Sequence, residues 1–176
     1  MKLHNQFISN STILKSLIVL AVFLQSCVAV NITANKNSEY NKQPKSIFIV
    51  MNCNKQFNAF SESFLDGVKK RFSLKNINVD YYRRDPLSLE TEDDINKKIN
   101  TSNPDALIIM VQKIIHTTNG SVDGGTFEIT LIDKETRKPV WKAELVISGN
   151  LGMSQDEMVS KSLDEFFKQL TTDKLY

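Results

Sequence analysis

Two apolar runs constrain the fold more than any other feature of this sequence: residues 47–51 read IFIVM, and residues 105–115 read DALIIMVQKII. A strand wetted on one face alternates apolar with polar residues. A continuous apolar run rich in β-branched residues therefore predicts a strand covered on both faces. Strands of that kind belong to the middle of an α/β sheet, and the second run is the best candidate for its centre.

The segments around them supply the layers. Phe57, Phe60, Phe64, Val68 and Phe72 recur every three or four residues, which places them on one helix face. The stripe reads as core packing rather than a ligand platform. Ile77, Val79 and Tyr81 alternate with Asn78, Asp80 and Tyr82, predicting a short half-buried strand. After Pro86 a second helix opens at Thr91 with Asp94 three residues on, and its thin apolar face (Ile95, Ile99) predicts an exposed position. A loop holding Asn119, Gly120, Gly124 and Gly125 follows residues 105–115, with the two adjacent glycines bending the chain into a hairpin. In that hairpin Phe127, Ile129 and Leu131 face one way, and after the turn DKETRKP so do Trp141, Ala143, Leu145 and Ile147. Ser154 and Glu157 open a last helix with the stripe Val159, Leu163, Phe166, Phe167 and Leu170. The order β-α-β-α-β-β-β-α predicts an α/β sandwich: a mixed sheet with helices, a C-terminal hairpin and a C-terminal helix. The core-forming periodicity lies in residues 46–176, so those bounds are expected to enclose a single domain that folds alone.

The N-terminus speaks of place. Lys2 and Lys15 precede an apolar stretch whose uninterrupted part, residues 17–24, is too short to span a bilayer and has the make-up of a secretory signal. It ends in Leu24-Gln25-Ser26-Cys27, which resembles the lipobox of bacterial envelope lipoproteins. The resemblance implies a signal peptide over residues 1–26, cleavage before Cys27, and acyl chains such as palmitate on that residue. Two or three chains give lasting attachment to a membrane. A lipidated Cys27 has no thiol for a disulfide with Cys53, the other cysteine of the chain. The alternative is an ordinary signal peptide with Cys27 as a structural cysteine. Val28, rather than Asp, after the cysteine resembles lipoproteins passed to the outer membrane, facing the periplasm; retention at the inner membrane stays open. Residues 28–45 are rich in Asn, Lys and Ser, so residues 27–45 are expected to be the lipidated cysteine and a disordered tether.

Residues 126–149, TFEITLIDKETRKPVWKAELVISG, carry a second resemblance through Asp133, Thr136, Val140 and Trp141. They are similar to the hairpin of small envelope lipoproteins that include the periplasmic activators of penicillin-binding proteins and the curli secretion lipoprotein. The α/β domain of that group is related to the N-terminal domain of the Tol-Pal translocation protein. Arg137 stands where the turn glycine is usual. The resemblance implies the fold and an envelope compartment, and it is shared among too many functions to select one. A tether of 18 residues is also shorter than activators use to reach from one membrane to the other.

The inventory for catalysis is small. Without Lys2 and Lys15 the chain carries 20 basic and 20 acidic residues, which gives no basic face for nucleic acid. Of the two histidines, His4 lies in the signal, leaving His116 without a companion at metal spacing. No phosphate-binding glycine loop or nucleophile-elbow serine is present, so neither a metal nor a cofactor is expected. Cys53, at the carboxyl end of the first apolar strand, pairs with His116 in the one conceivable nucleophile–base couple; the alternative is a small, partly buried residue. The stretch DYYRRD offers a candidate partner surface in Tyr81, Tyr82, Arg83 and Arg84, because Tyr and Arg are enriched at binding hot spots. Its alternative is a surface loop neutralised by its own acids. These readings predict a non-catalytic protein-interaction module on a membrane anchor, binding an envelope protein. A thiol-dependent enzyme using Cys53 and a self-assembling structural subunit are the alternatives.

Overall fold

A computed structural model describes residues 29–85, 87–149 and 154–176, so the expected signal peptide and Cys27 lie outside the described residues. The chain forms the expected α/β architecture. In order it contains β1 (Ala29–Lys36), β2 (Ser46–Asn52), α1 (Asn58–Ser73), β3 (Asn78–Arg84), α2 (Glu92–Ser102), β4 (Ala106–Thr118), β5 (Ser121–Asp133), β6 (Lys138–Ser148) and α3 (Gln155–Thr172). The six strands of the described residues make one sheet in the order β1-β6-β5-β4-β2-β3. The two unbroken apolar runs, in β2 and β4, pair in parallel, and β2 is flanked by β3 and β4.

Chain direction explains where the helices lie. From β2 the chain steps outward to β3, then returns across β2 to β4. Right-handed crossovers in opposite directions require helices on opposite faces. The phenylalanines of α1 pack with the stripe of α3 (Phe64 on Phe166, Phe72 on Phe167) and with the inward residues of every strand, forming the main core. Phe48 points to the other face, where Ile95 of α2 is buried as well. Where α1 packs on α3, a Cβ on Gly67 would lie 2.4 Å from a methyl of the Leu163 side chain, so a larger residue there must displace that side chain.

Two expectations are overturned. Part of the segment read as a disordered tether is β1, paired antiparallel with β6 along its whole length. Val30, Ile32 and Ala34 turn to the core while Asn31, Thr33 and Asn35 are exposed, so an asparagine-rich segment satisfies the period of two that an edge strand needs. Tyr40 follows, also buried. The domain therefore begins no later than Ala29, not at Ser46. The second correction concerns the glycines. β4 continues to Thr118, and the chain reverses at Asn119 and Gly120, both with positive φ (53° and 80°), the backbone of a tight hairpin turn. Gly124 and Gly125 lie inside β5, where a Cβ on Gly124 would be 2.1 Å from the Ile147 carbonyl oxygen. They permit close backbone approach; they do not make the bend.

Candidate functional site

Successive side chains of β3 leave the sheet on opposite faces. Tyr81 and Arg83 therefore turn toward α1, and Tyr82 and Arg84 toward α2 and the loop before it. The Tyr81 hydroxyl donates to Asp66, and Arg83 donates to Asn58 at 2.8 Å and to Glu62 at 3.3 Å. On the other face the Tyr82 hydroxyl donates to Glu90, and Arg84 pairs with Glu92. The Lys98 ammonium sits 4.1 Å from the centre of the Tyr82 ring and also reaches Glu90.

The four residues of the candidate partner surface are thus adjacent, as the sequence indicates, but their charges are already engaged. The acids responsible are Glu62, Asp66, Glu90 and Glu92, carried by the helices and the loop before α2, rather than the flanking aspartates of the DYYRRD stretch. Lys98 first, and then the Tyr82 hydroxyl, hold the Glu90 carboxyl below its usual range. The hydrogen bond to Glu90 pushes the Tyr82 phenol up, and the one to Asp66 does the same to Tyr81. Both phenols stay protonated at neutral pH. Exposed, neutralised ion pairs contribute little to affinity, so the aromatic rings and the strand edge remain as the recognition features.

That edge stands in a cleft. Among the described residues β3 pairs only with β2, and α1 and α2 flank it on opposite faces. The cleft encloses about 880 Å³ and is lined by Lys69 of α1, by Asp80, Tyr81 and Tyr82 of β3, and by Lys98 and Ser102 of α2. Ser102 donates to Asp80 at 2.8 Å, tying the end of α2 to the strand. α2 is held at its start by Thr91 and Asp94, which form the expected capping box. The two tyrosines were visible in the sequence. The lysines were not, because only the crossover topology brings α1 and α2 to the same strand.

Cys53 and His116 are not arranged as a couple. Asn54, just past Cys53, donates its N–H to Gln112 at 2.8 Å, and His116 lies four residues farther along β4. At about 3.3 Å per residue that is roughly 13 Å. Cys53 is buried, and burial pushes its thiol up, against smaller opposing effects of Ser61 and Arg83. A thiol held protonated is a poor nucleophile. Among the described residues no three His, Cys, Asp or Glu side chains are grouped to hold a metal ion.

At the other end of the sheet, the hairpin residues have structural work. Asp133, 3% exposed, accepts from the hydroxyl and N–H of Thr136 and from Lys42, fixing the β5–β6 turn. Trp141 is 1% exposed and donates its indole N–H to Asp173 at 2.6 Å, locking the end of α3 over β6.

Comparison with protein families and with curated proteins finds no match. Among solved structures, the chain is similar to the PelC dodecamer from Paraburkholderia phytofirmans. The TM-score is 0.49 at 12% identity, over 81% of this chain and 95% of that one. It is also similar to protein XCC0632 from Xanthomonas campestris, with a TM-score of 0.39 at 6% identity, over 82% of this chain and 89% of that one.

Proposed function

We propose that this chain is a bacterial envelope lipoprotein, anchored by acylated Cys27, whose domain is a non-catalytic protein-interaction module. The observation that carries the proposal is the free edge of β3 in an open cleft, with Tyr81 and Tyr82 on its two sides. An unpaired strand edge offers main-chain hydrogen bonds to an extended segment, and flanking pockets select its side chains. Tyrosines already fixed by Asp66 and Glu90 lose little freedom on binding. The lipobox supports the anchor, and the start of β1 adds to it. At most about 7 Å of chain separates Cys27 from Ala29, so an acylated Cys27 holds the domain directly at the membrane, most simply on the periplasmic side of the outer membrane.

Complementation of a deletion strain tests the reading, after each variant is shown to fold and to reach the membrane. Tyr82→Ala and Lys98→Glu should impair function, whereas Cys53→Ser and His116→Ala should leave it intact. Loss of function in Cys53→Ser alone, with the cleft variants active, replaces the binding module with a thiol activity.

A further inference from the structure

Among the described residues the sheet has a second free edge, β1, at its opposite side. Natural edges are usually blunted by charge, proline or a bulge. β1 has no proline and pairs without a bulge, and its one charge, Lys36, is its last residue. We propose that the occupant of the β3 cleft is β1 of a second copy of this chain, so that copies join head to tail along the membrane surface.

The backbone geometry of the two edges is compatible. The Asn37 N–H bonds to the Val140 carbonyl of β6, so by alternation the backbone groups of Val30, Ile32, Ala34 and Lys36 point away from the sheet. On the other side the Asn78 N–H bonds to the Lys45 carbonyl, which leaves those of Val79, Tyr81 and Arg83 pointing outward. Directly opposed residues in an antiparallel pair must send their side chains to the same face. Val30, Ile32 and Ala34 turn to the α1–α3 face, and Val79, Tyr81 and Arg83 do too.

Direction fits as well. β1 is antiparallel to β6, β6 to β5 and β5 to β4, whereas β4, β2 and β3 are parallel. β1 and β3 therefore run in opposite senses, and two copies standing the same way up present them as an antiparallel pair. Matching Ala29 to Arg84 and Asn35 to Asn78 uses all of β3. It sets Ile32 beside Tyr81, Ala34 beside Val79 and Thr33 beside Asp80, with no like charges opposed.

The competing arrangements fail on the anchor, and here the inference rests on the lipoprotein reading. Pairing β1 with β1 antiparallel turns one copy upside down, so the two Cys27 anchors could not enter the same leaflet. Pairing β3 with β3 inverts a copy in the same way and brings four flanking helices into one cleft. The β1–β3 contact is heterologous: each copy gives β1 to one neighbour and receives the β1 of another, so the assembly closes as a ring or continues as a row.

Two differently tagged full-length copies, one with Asn35→Cys and the other with Asn78→Cys, test the pairing in isolated membranes. Both positions are exposed and face each other across the proposed register, at a separation a disulfide can bridge. The expected product is a mixed disulfide dimer, lost when Ala34→Pro is added to the first copy. That proline removes an outward N–H, and an edge strand tolerates it; an unchanged melting curve of the variant confirms that the monomer is intact. Absence of the mixed dimer overturns the proposal, as do self-linked dimers of Thr33→Cys or mixed dimers that persist with Ala34→Pro. Fatty-acid labelling of the same samples separates the two readings. Label without the mixed dimer refutes the pairing alone, and the mixed dimer without label refutes the anchor alone.

Discussion

At the scale of single residues, the β5–β6 turn shows how local chemistry departs from the most favourable choice. Arg137 has φ of 57°, in the left-handed region, and its N–H bonds to the Asp133 carbonyl at 2.8 Å. A side chain there costs roughly 1–2 kcal/mol, which glycine avoids while adding some freedom to the unfolded chain. Arg137→Gly is expected to stabilise the domain by on the order of 1 kcal/mol, read as a rise of a few degrees in Tm. An unchanged or lower Tm counts against the turn geometry. Asp133 makes a second prediction. Burial pushes its carboxyl up, but the Thr136 hydroxyl and N–H and the Lys42 ammonium together outweigh it and hold the group below its usual range. The folded state thus binds this proton less tightly than the unfolded chain. The resulting stability is complete above the unfolded value, about pH 4, and is lost as pH falls through the lower folded value. Asp133→Asn should therefore flatten the acid side of the stability–pH curve, and a slope identical to wild type below pH 4 would disprove the assignment.

At the scale of elements, β1 is the decisive segment. A chain of residues 46–176 lacks Ile32 and Tyr40, the partly buried Val30 and Ala34, and the Lys36 bond to the Asp173 carbonyl. Each large buried side chain contributes roughly 1.5–3 kcal/mol, so the loss approaches the whole stability of an ordinary domain, about 5–15 kcal/mol. Residues 29–176 should melt cooperatively, whereas residues 46–176 should be unfolded or melt far lower by circular dichroism. Equal Tm values would mean that β1 is not part of the fold. The same strand marks where sequence reading stops. Long stripes such as Phe57 to Phe72 and the alternation of Phe127 to Leu131 declare their elements, because a full apolar face must be buried. β1 carries only Val30, Ile32 and the small Ala34 among asparagines, and its composition resembles a solvated linker more than its period resembles a strand. The Asn119–Gly120 hairpin was legible in principle, since that dipeptide suits two successive residues of positive φ. The neighbouring glycines at 124 and 125 masked it, and their reason for being glycine is a tertiary contact. The candidate site divides in the same way: Tyr81 to Arg84 are local in sequence, but the cleft depends on two crossovers on opposite faces.

At the scale of the whole molecule, sheet register fixes which end faces the membrane if Cys27 is acylated. Ala29 pairs with Ser148, Ser148 with Gly124, and Gly124 with His116, so these four residues form one row across the sheet. The β4–β5 hairpin continues beyond that row to its turn at Asn119 and Gly120, while the β5–β6 turn with Thr136 lies at the opposite end. Two further paired rows, Thr117 with Val122 and Thr118 with Ser121, and the turn itself carry the hairpin roughly 10 Å past the row at about 3.3 Å each, and Cys27 lies at most about 7 Å from Ala29. The hairpin turn must then meet the headgroup region, whereas Thr136 stands in water a sheet length away. A polarity-sensitive fluorophore on Asn119→Cys should shift to the blue when the lipidated protein is placed in vesicles. The same fluorophore on Thr136→Cys should not respond. Replacing Cys27 with Ala should abolish the shift at position 119, because no helix among the described residues is long and apolar enough to cross a membrane in its place. A probe at position 136 that shifts more than one at 119 would show that the domain stands the other way up, and with it that the chain does not enter the membrane ahead of β1.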